Sequence, residues 1–311
     1  MRQKIAYLQQ NKVKLHKLSK NVYWKQRYLL LLLVPAVVYF IIFHYIPMYG
    51  VIIAFKDYKF SKGIMGSAWV GLEHFRRLFG TESFWQVFRN TIVIGFWKFV
   101  WGFPAPILFA LFLNELTQVR FKKTVQTISY LPHFISWVVL GGILMQLLSP
   151  STGPVNVVLK LMGWDPIYFL ADPRWFRIVL VVSHVWKSIG WGSIVYIAAL
   201  TSVDQEIYEA ASIDGATGVQ KFFRITIPLL RRSIGTTYIL SLSGTINLSF
   251  TLSNVMTGGG PNGASSVLLQ YMYTQGMRNA NFGYAMAIAM FTLMLAIVLA
   301  MISRKLSAEK E

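Results

Sequence analysis

Four of the chain's twelve acidic residues, Asp204, Glu206, Glu209 and Asp214, fall within eleven positions. Carboxylates grouped in this way can accept charge-assisted hydrogen bonds from the cations of a partner. They belong to the segment Asp204 to Pro228, DQEIYEAASIDGATGVQKFFRITIP, an amphipathic stretch between two long apolar ones. A second grouping is HVWKSIGW, where His184, Lys187, Ser188 and Trp191 share one stripe of a helix at i, i+3, i+4 and i+7. A lysine inside an apolar helix is costly unless it faces a cavity or a partner. A tryptophan offers a flat apolar face on which a sugar ring can stack. The stripe reads either as a wall of a solute pathway or as packing, with Lys187 paired across a subunit interface.

Local signals set the elements that position the acidic group. Ser202 with Gln205 predicts a capping-box start for a first helix, and Ile207, Ala210 and Ala211 share one of its faces. Gly215 is expected to take the positive φ that stops it. Thr217 and Gln220 form a second capping box, with Val219, Phe222 and Phe223 as the next apolar stripe. Pro228 is expected to hold Ile227 away from helical φ/ψ and to mark the return to the membrane. The segment is thus a helical hairpin, docked into a partner or lying on a bilayer.

The frame around it is membranous. At 311 residues, 55% hydrophobic and a mean hydropathy of +0.49, the chain reads as an all-α, polytopic membrane protein. The absence of cysteine excludes a disulfide framework and a thiolate metal site. Six spans are expected, at about residues 28–55, 89–113, 125–148, 176–200, 233–256 and 282–302. Together they form one membrane domain, 28–303, that includes the hairpin 202–228 and is flanked by tails at 1–27 and 304–311. The first tail carries eight Lys/Arg and no acid, which suits anionic lipid headgroups. The first apolar run is too long for a cleavable signal peptide. With both termini inside, eighteen Lys/Arg lie on the inner side and ten on the outer. The net charge of +18 therefore follows membrane topology rather than nucleic-acid binding.

Other patterns exclude functions. Gly258, Gly260 and Gly263 fit G-x-G-x-x-G literally, but they follow a span and include Pro261, so no dinucleotide site is expected. No G-x-x-x-x-G-K-[ST] loop occurs, so ATP and its Mg2+ would belong to another polypeptide, and no cofactor or metal is assigned here. The predicted spans hold no Asp or Glu, against both a proton-driven carrier and a membrane-embedded hydrolase, although His44, His133 and His184 remain. No enzyme activity is expected.

Glu209-Ala210-Ala211, then three residues, Gly215, nine residues and Ile225-x-x-Pro228 resembles the EAA motif of ABC-importer permeases. Every spacing holds, and Ile227 stands where Leu is usual. Asp214-Gly215-Ala216, Phe223 and the T-G-G-G-P run before Asn262 resemble the sugar-importer branch. Pro47 to Gly50 (PMYG), Phe55 to Tyr58 (FKDY) and the basic tail resemble its polygalacturonan and rhamnogalacturonan class. The resemblance implies a type I importer fold in a bacterial cytoplasmic membrane and a heterodimer with a second, homologous permease. It also implies two ATPase subunits below and an extracellular solute-binding protein above. Carried onto this sequence, it makes Glu209, Ala210, Ala211, Asp214, Gly215, Phe223 and Pro228 the ATPase-coupling residues. It places the solute on His184, Lys187, Ser188 and Trp191, and near Thr245, Asn247 and Ser249 in the fifth span. The family has neutral residues where Lys187 stands, so a buried cation there suggests an anionic, uronate-containing oligosaccharide. Lys98 adds to that field or snorkels. The alternatives are a sugar carrier driven by an ion gradient, an ABC permease for another solute class, and a receptor or scaffold.

Overall fold

The computed structural model describes residues 26–244 and 260–308. Helices dominate because a segment in hydrocarbon must satisfy its own backbone hydrogen bonds. Helix α1 (Arg27–Phe40) continues through a π-helical turn, Ile41–Tyr45, and Ile46–Met48 into a 3-10 stretch, Tyr49–Phe55. The apolar window of this span has no residue buried by the rest of the chain, so lipid or another subunit covers it. A two-residue hairpin, β1 (Lys56–Asp57) and β2 (Ala68–Trp69), pairs Lys56 with Trp69 and Asp57 with Ala68. The amphipathic helix α2 (Glu73–Gly80) follows.

Helices α3 (Glu82–Gly102) and α4 (Pro104–Glu115) make one 34-residue span that begins seven residues earlier than the sequence suggests. The third expected span, residues 125–148, is not one straight helix. It is α5 (Val119–Phe134) and α6 (Trp137–Leu147), bent by 101°. Pro132 deprives α5 of one hydrogen bond near its end, and the Ser136 hydroxyl caps α6 by accepting from the Val139 N–H at 3.2 Å. Helix α7 (Pro154–Leu161) lies in the loop after α6 and leads to the 29-residue α8 (Pro173–Thr201). Then come α9 (Gln205–Ile213), α10 (Gly218–Lys221) and α11 (Ile227–Gly244). The second half of the expected fifth span lies outside the described residues. Helix α12 (Leu268–Tyr273) and the last span, α13 (Phe282–Ala308), complete the chain. Among the described residues four helices are long and apolar enough to cross a membrane, and the bent pair, a broken span or a re-entrant loop, would make five if it crosses.

The long α8 is the axis, packed against α3, α4, α5 and α11. Glycine lets the backbones approach: a Cβ on Gly190 would lie 2.0 Å from the Ser129 carbonyl oxygen of α5, and one on Gly192 would lie 2.9 Å from the Pro106 ring of α4. Two apolar clusters seal its ends. Ile94, Phe176, Val179, Leu180 and Val267 close the end near Phe176. Ile107, Leu111, Tyr196, Leu200 and Leu230 close the end near Leu200.

Candidate functional site

The acidic hairpin is a tied structural unit. Helix α9 starts on Asp204, whose carboxylate accepts from the Glu206 N–H at 3.1 Å. Ser202 is not the cap the sequence suggested. Because α8 runs on to Thr201, Ser202 closes that helix instead and donates to the Ala199 carbonyl. Helix α9 ends as expected: Gly215 has φ +73°, the Gly215 N–H bonds to Ser212 O, and the Ala216 N–H bonds to Ala211 O. The Thr217–Gln220 capping box is present with both of its bonds. The Lys221 ammonium donates to the Ser212 hydroxyl at 2.6 Å, across the hairpin, and the Tyr208 and Thr226 hydroxyls meet at 3.0 Å.

The exit from the hairpin differs from expectation. Ile227 is helical, with φ −63° and ψ −45°, and the chain passes through Pro228 without a break. A π-helical turn, Phe222–Thr226, precedes the proline, and the Ile227 N–H reaches back five residues to Phe222 O. Widening the turn relieves the clash of the proline ring with the carbonyl four residues back. The same device, Ile41–Tyr45, precedes Pro47 in the first span, with Ile46 bonded to Ile41 O.

The expected apolar stripe of α10 is divided. Phe222 packs inward on the cluster of Ile107, Leu111, Tyr196 and Leu200, while Val219 and Phe223 are 68% and 64% exposed. They join Ile207 and Ile213 on a surface that also carries Glu206, Glu209 and Asp214. Ala210 is exposed and Ala211 half-buried. Among the described residues Glu209 and Asp214 have no ion-pair partner. The unit therefore presents free carboxylates and apolar side chains outward, while Tyr208 ties α9 to the π-helical turn and Phe222 packs on the spans.

The second grouping converges on the break between α5 and α6. Lys187 is 8% exposed, and its ammonium donates to Pro132 O at 3.1 Å and to His133 O and Ile135 O. Its Nζ also lies 5.2 Å from the centre of the Trp137 ring. These carbonyls lie at the end of α5, where the helix dipole is negative and the last carbonyls run short of intrahelical donors, although Pro132 O also accepts from the Ile135 N–H at 3.2 Å. Lys187 thus caps a broken helix, its three N–H donors directed at carbonyls of its own chain. Trp191 is 45% exposed and lies parallel to the His133 ring at 4.4 Å, with Phe134 edge-on at 5.7 Å. His184 lies parallel to Trp137 at 6.4 Å, in space that Gly102 leaves free. Ser188 donates to the His184 carbonyl of its own helix at 2.7 Å. Lys98 is 2% exposed and does not snorkel. Thr245, Asn247 and Ser249 lie outside the described residues. Among the described residues no cluster of His, Asp and Glu is arranged to hold a metal. Trp137 and the carbonyls of Pro132, His133 and Ile135 were not singled out in the sequence. The local signals there were Pro132 followed by Ser136.

Residues 102–310 match the family model described as binding-protein-dependent transport system inner membrane component. The chain is similar to the polygalacturonan/rhamnogalacturonan transport system permease protein YteP of Bacillus subtilis. The two are 37% identical over 283 residues, which cover 91% of this chain and 88% of that protein. Among solved structures it is similar to a chain of a bacterial ABC transporter involved in the import of the acidic polysaccharide alginate. That chain is 35% identical with a TM-score of 0.86, and the match covers 93% of this chain and 98% of that one. A bacterial alginate ABC transporter in complex with alginate pentasaccharide-bound periplasmic protein matches with 36% identity and a TM-score of 0.84, over 92% and 96% of the two chains.

Proposed function

The chain belongs to the family of binding-protein-dependent transport system inner membrane components, and from that premise we propose that it is the permease subunit of an ATP-driven oligosaccharide importer whose solutes include acidic, uronate-containing chains. The observation that carries the coupling is the tied hairpin of residues 204–228. Its free carboxylates and exposed Val219 and Phe223 face outward, and its root lies in the cluster between α8 and α11. A cytoplasmic ATPase that grips this surface displaces both helices when it closes on ATP. Glu209 accepts a charge-assisted hydrogen bond from a basic residue of that subunit. ATP and Mg2+ reside on the ATPase, and this chain contributes movement rather than a chemical step.

The acidic solute class is supported by the relatives, one of which imports alginate and another polygalacturonan, a chain of galacturonic acid. The Lys187 charge no longer supports it, being spent on helix carbonyls. Trp191 and His184 remain pathway residues, joined by Thr245, Asn247 and Ser249 from the fifth span. A second, homologous permease completes the pathway and covers the apolar face of α1. Two ATPases bind from the cytoplasm, and a solute-binding protein delivers from outside. The Lys/Arg bias supports both termini in the cytoplasm of a bacterial cell. The test is ATPase activity of the complete complex in liposomes with its binding protein, against a panel of oligosaccharides. Stimulation by acidic oligosaccharides is expected. A complex without associated ATPase refutes the importer, and stimulation by neutral sugars alone refutes the solute class.

A further inference from the structure

The outer ends of α3 and α8 meet over a polar cleft of about 350 Å3, walled by Trp85, Gln86, Arg89 and Asn90 of α3 and Arg177 of α8. That volume is at the small end of ligand sites, which run from ~300 to ~1,000 Å3. Among the described residues no carboxylate lines the cleft.

Its floor is built rather than incidental. Asn90 is 3% exposed, and its Nδ2 donates to Gly263 O at 2.8 Å and Ser266 O at 3.3 Å. The Asn90 Oδ1 accepts from Arg177 Nη2 at 3.1 Å, and Arg177 Nε donates to Ala264 O at 3.0 Å. These bonds fix the guanidinium plane and leave further N–H groups of Arg177 without an acceptor among the described residues. Arg89 lies one helical turn beyond Trp85, exposed and without an acidic partner among the described residues. The indole of Trp85 is held as well. Its Nε1 donates to Phe79 O at 2.9 Å, and its ring meets Phe84 and Phe88 edge-on, while half its surface stays open.

We propose that this cleft is a docking site for one uronate unit of an acidic oligosaccharide, met on the outer side before the solute reaches Trp191. Arg89 and Arg177 take the carboxylate, and the open surface of Trp85 takes the apolar side of the sugar ring. Planar guanidinium groups match a carboxylate with paired N–H donors. Because Arg177 and Trp85 are already immobilised, little freedom is lost on binding. A neutral sugar offers these cations hydroxyl acceptors but no charge and no paired carboxylate oxygens. The proposal rests on the acidic-solute reading above.

The test uses the complete complex in nanodiscs, without its solute-binding protein, and calorimetry with tetragalacturonate and its tetramethyl ester. The wild type is expected to bind the acid at least tenfold more tightly than the ester. Arg89→Gln, on an exposed and partner-free side chain, should weaken acid binding about tenfold and leave ester binding unchanged. Arg89→Lys should restore part of the loss. Equal binding of the acid by wild type and Arg89→Gln overturns the proposal. So does an Arg89→Gln complex that binds the acid normally but has lost affinity for the empty solute-binding protein, which would make the cleft a protein-docking surface. Uptake by wild-type proteoliposomes separates this proposal from the reading beneath it. Tetragalacturonate imported without Arg89-dependent binding removes the cleft and keeps the solute class. Import of neutral oligosaccharides only removes both.

Discussion

Replacing Lys187 with methionine keeps the length and apolar stem of the side chain and deletes the ammonium that ends α5. Three carbonyls, of Pro132, His133 and Ile135, then lose that donor in a site where Lys187 itself is 8% exposed. Hydrogen bonds inside membrane proteins average ~0.6 kcal/mol and reach ~1.7 kcal/mol, so three contribute about 2–5 kcal/mol. The loss of the Trp137 ring contact adds roughly 0.5–2 kcal/mol. Relief from burying a cation offsets part of this. A net destabilisation of about 2–4 kcal/mol is expected. It should appear as a lower thermal midpoint of the reconstituted complex, with transport of acidic and neutral oligosaccharides reduced in the same proportion. Lys187→Arg, a cation of different shape, should recover part of the midpoint. The reasoning would be refuted by Lys187→Met that keeps the wild-type midpoint while losing acidic solutes selectively. That result would return Lys187 to the solute.

Three further outcomes follow from other parts of the molecule. Gly215→Val must place a β-branched residue at φ +73°, at a cost of about 1–2 kcal/mol. It should lower transport per ATP hydrolysed in proteoliposomes while membrane insertion continues. Gly190→Ala puts a Cβ 2.0 Å from the Ser129 carbonyl oxygen, which a rigid backbone cannot yield cheaply. The yield of folded complex in size-exclusion chromatography should fall sharply, whereas Gly218→Ala, with open space around it, should not change it. Asn90→Ala leaves the Gly263 and Ser266 carbonyls and the Arg177 guanidinium short of a partner, for about 2–4 kcal/mol read as a lower thermal midpoint.

What the sequence revealed was short-range. The Gly215 turn and the Thr217–Gln220 capping box depend on residues within one helical turn, and both stand in the structure as read. The apolar runs at 28–55, 176–200 and 282–302 were legible for the same reason. Where a local signal had two possible owners, it was misassigned: Ser202 serves the end of α8, so Asp204 starts α9. Pro228 was read as a break because a proline alone does not announce the π-helical turn that accommodates it. The role of Lys187 was illegible in principle, since its acceptors lie 52 to 55 residues upstream and turn towards it only because α5 ends there. Asn90 and Arg177 were likewise hidden, because their partners in the loop around Gly263 are brought near only by the packing of α3 on α8.

The central claim is that ATP closure enters this chain through the hairpin of residues 204–228. The direct measurement is uptake of a labelled acidic oligosaccharide into proteoliposomes holding the full complex and its binding protein, for wild type and Glu209→Lys, with ATP and with an ion gradient instead. The account predicts ATP-dependent uptake in the wild type, none on the gradient alone, and its loss in Glu209→Lys although the variant inserts and assembles as a membrane protein. Uptake on the gradient without ATP, or wild-type uptake by Glu209→Lys, would contradict it.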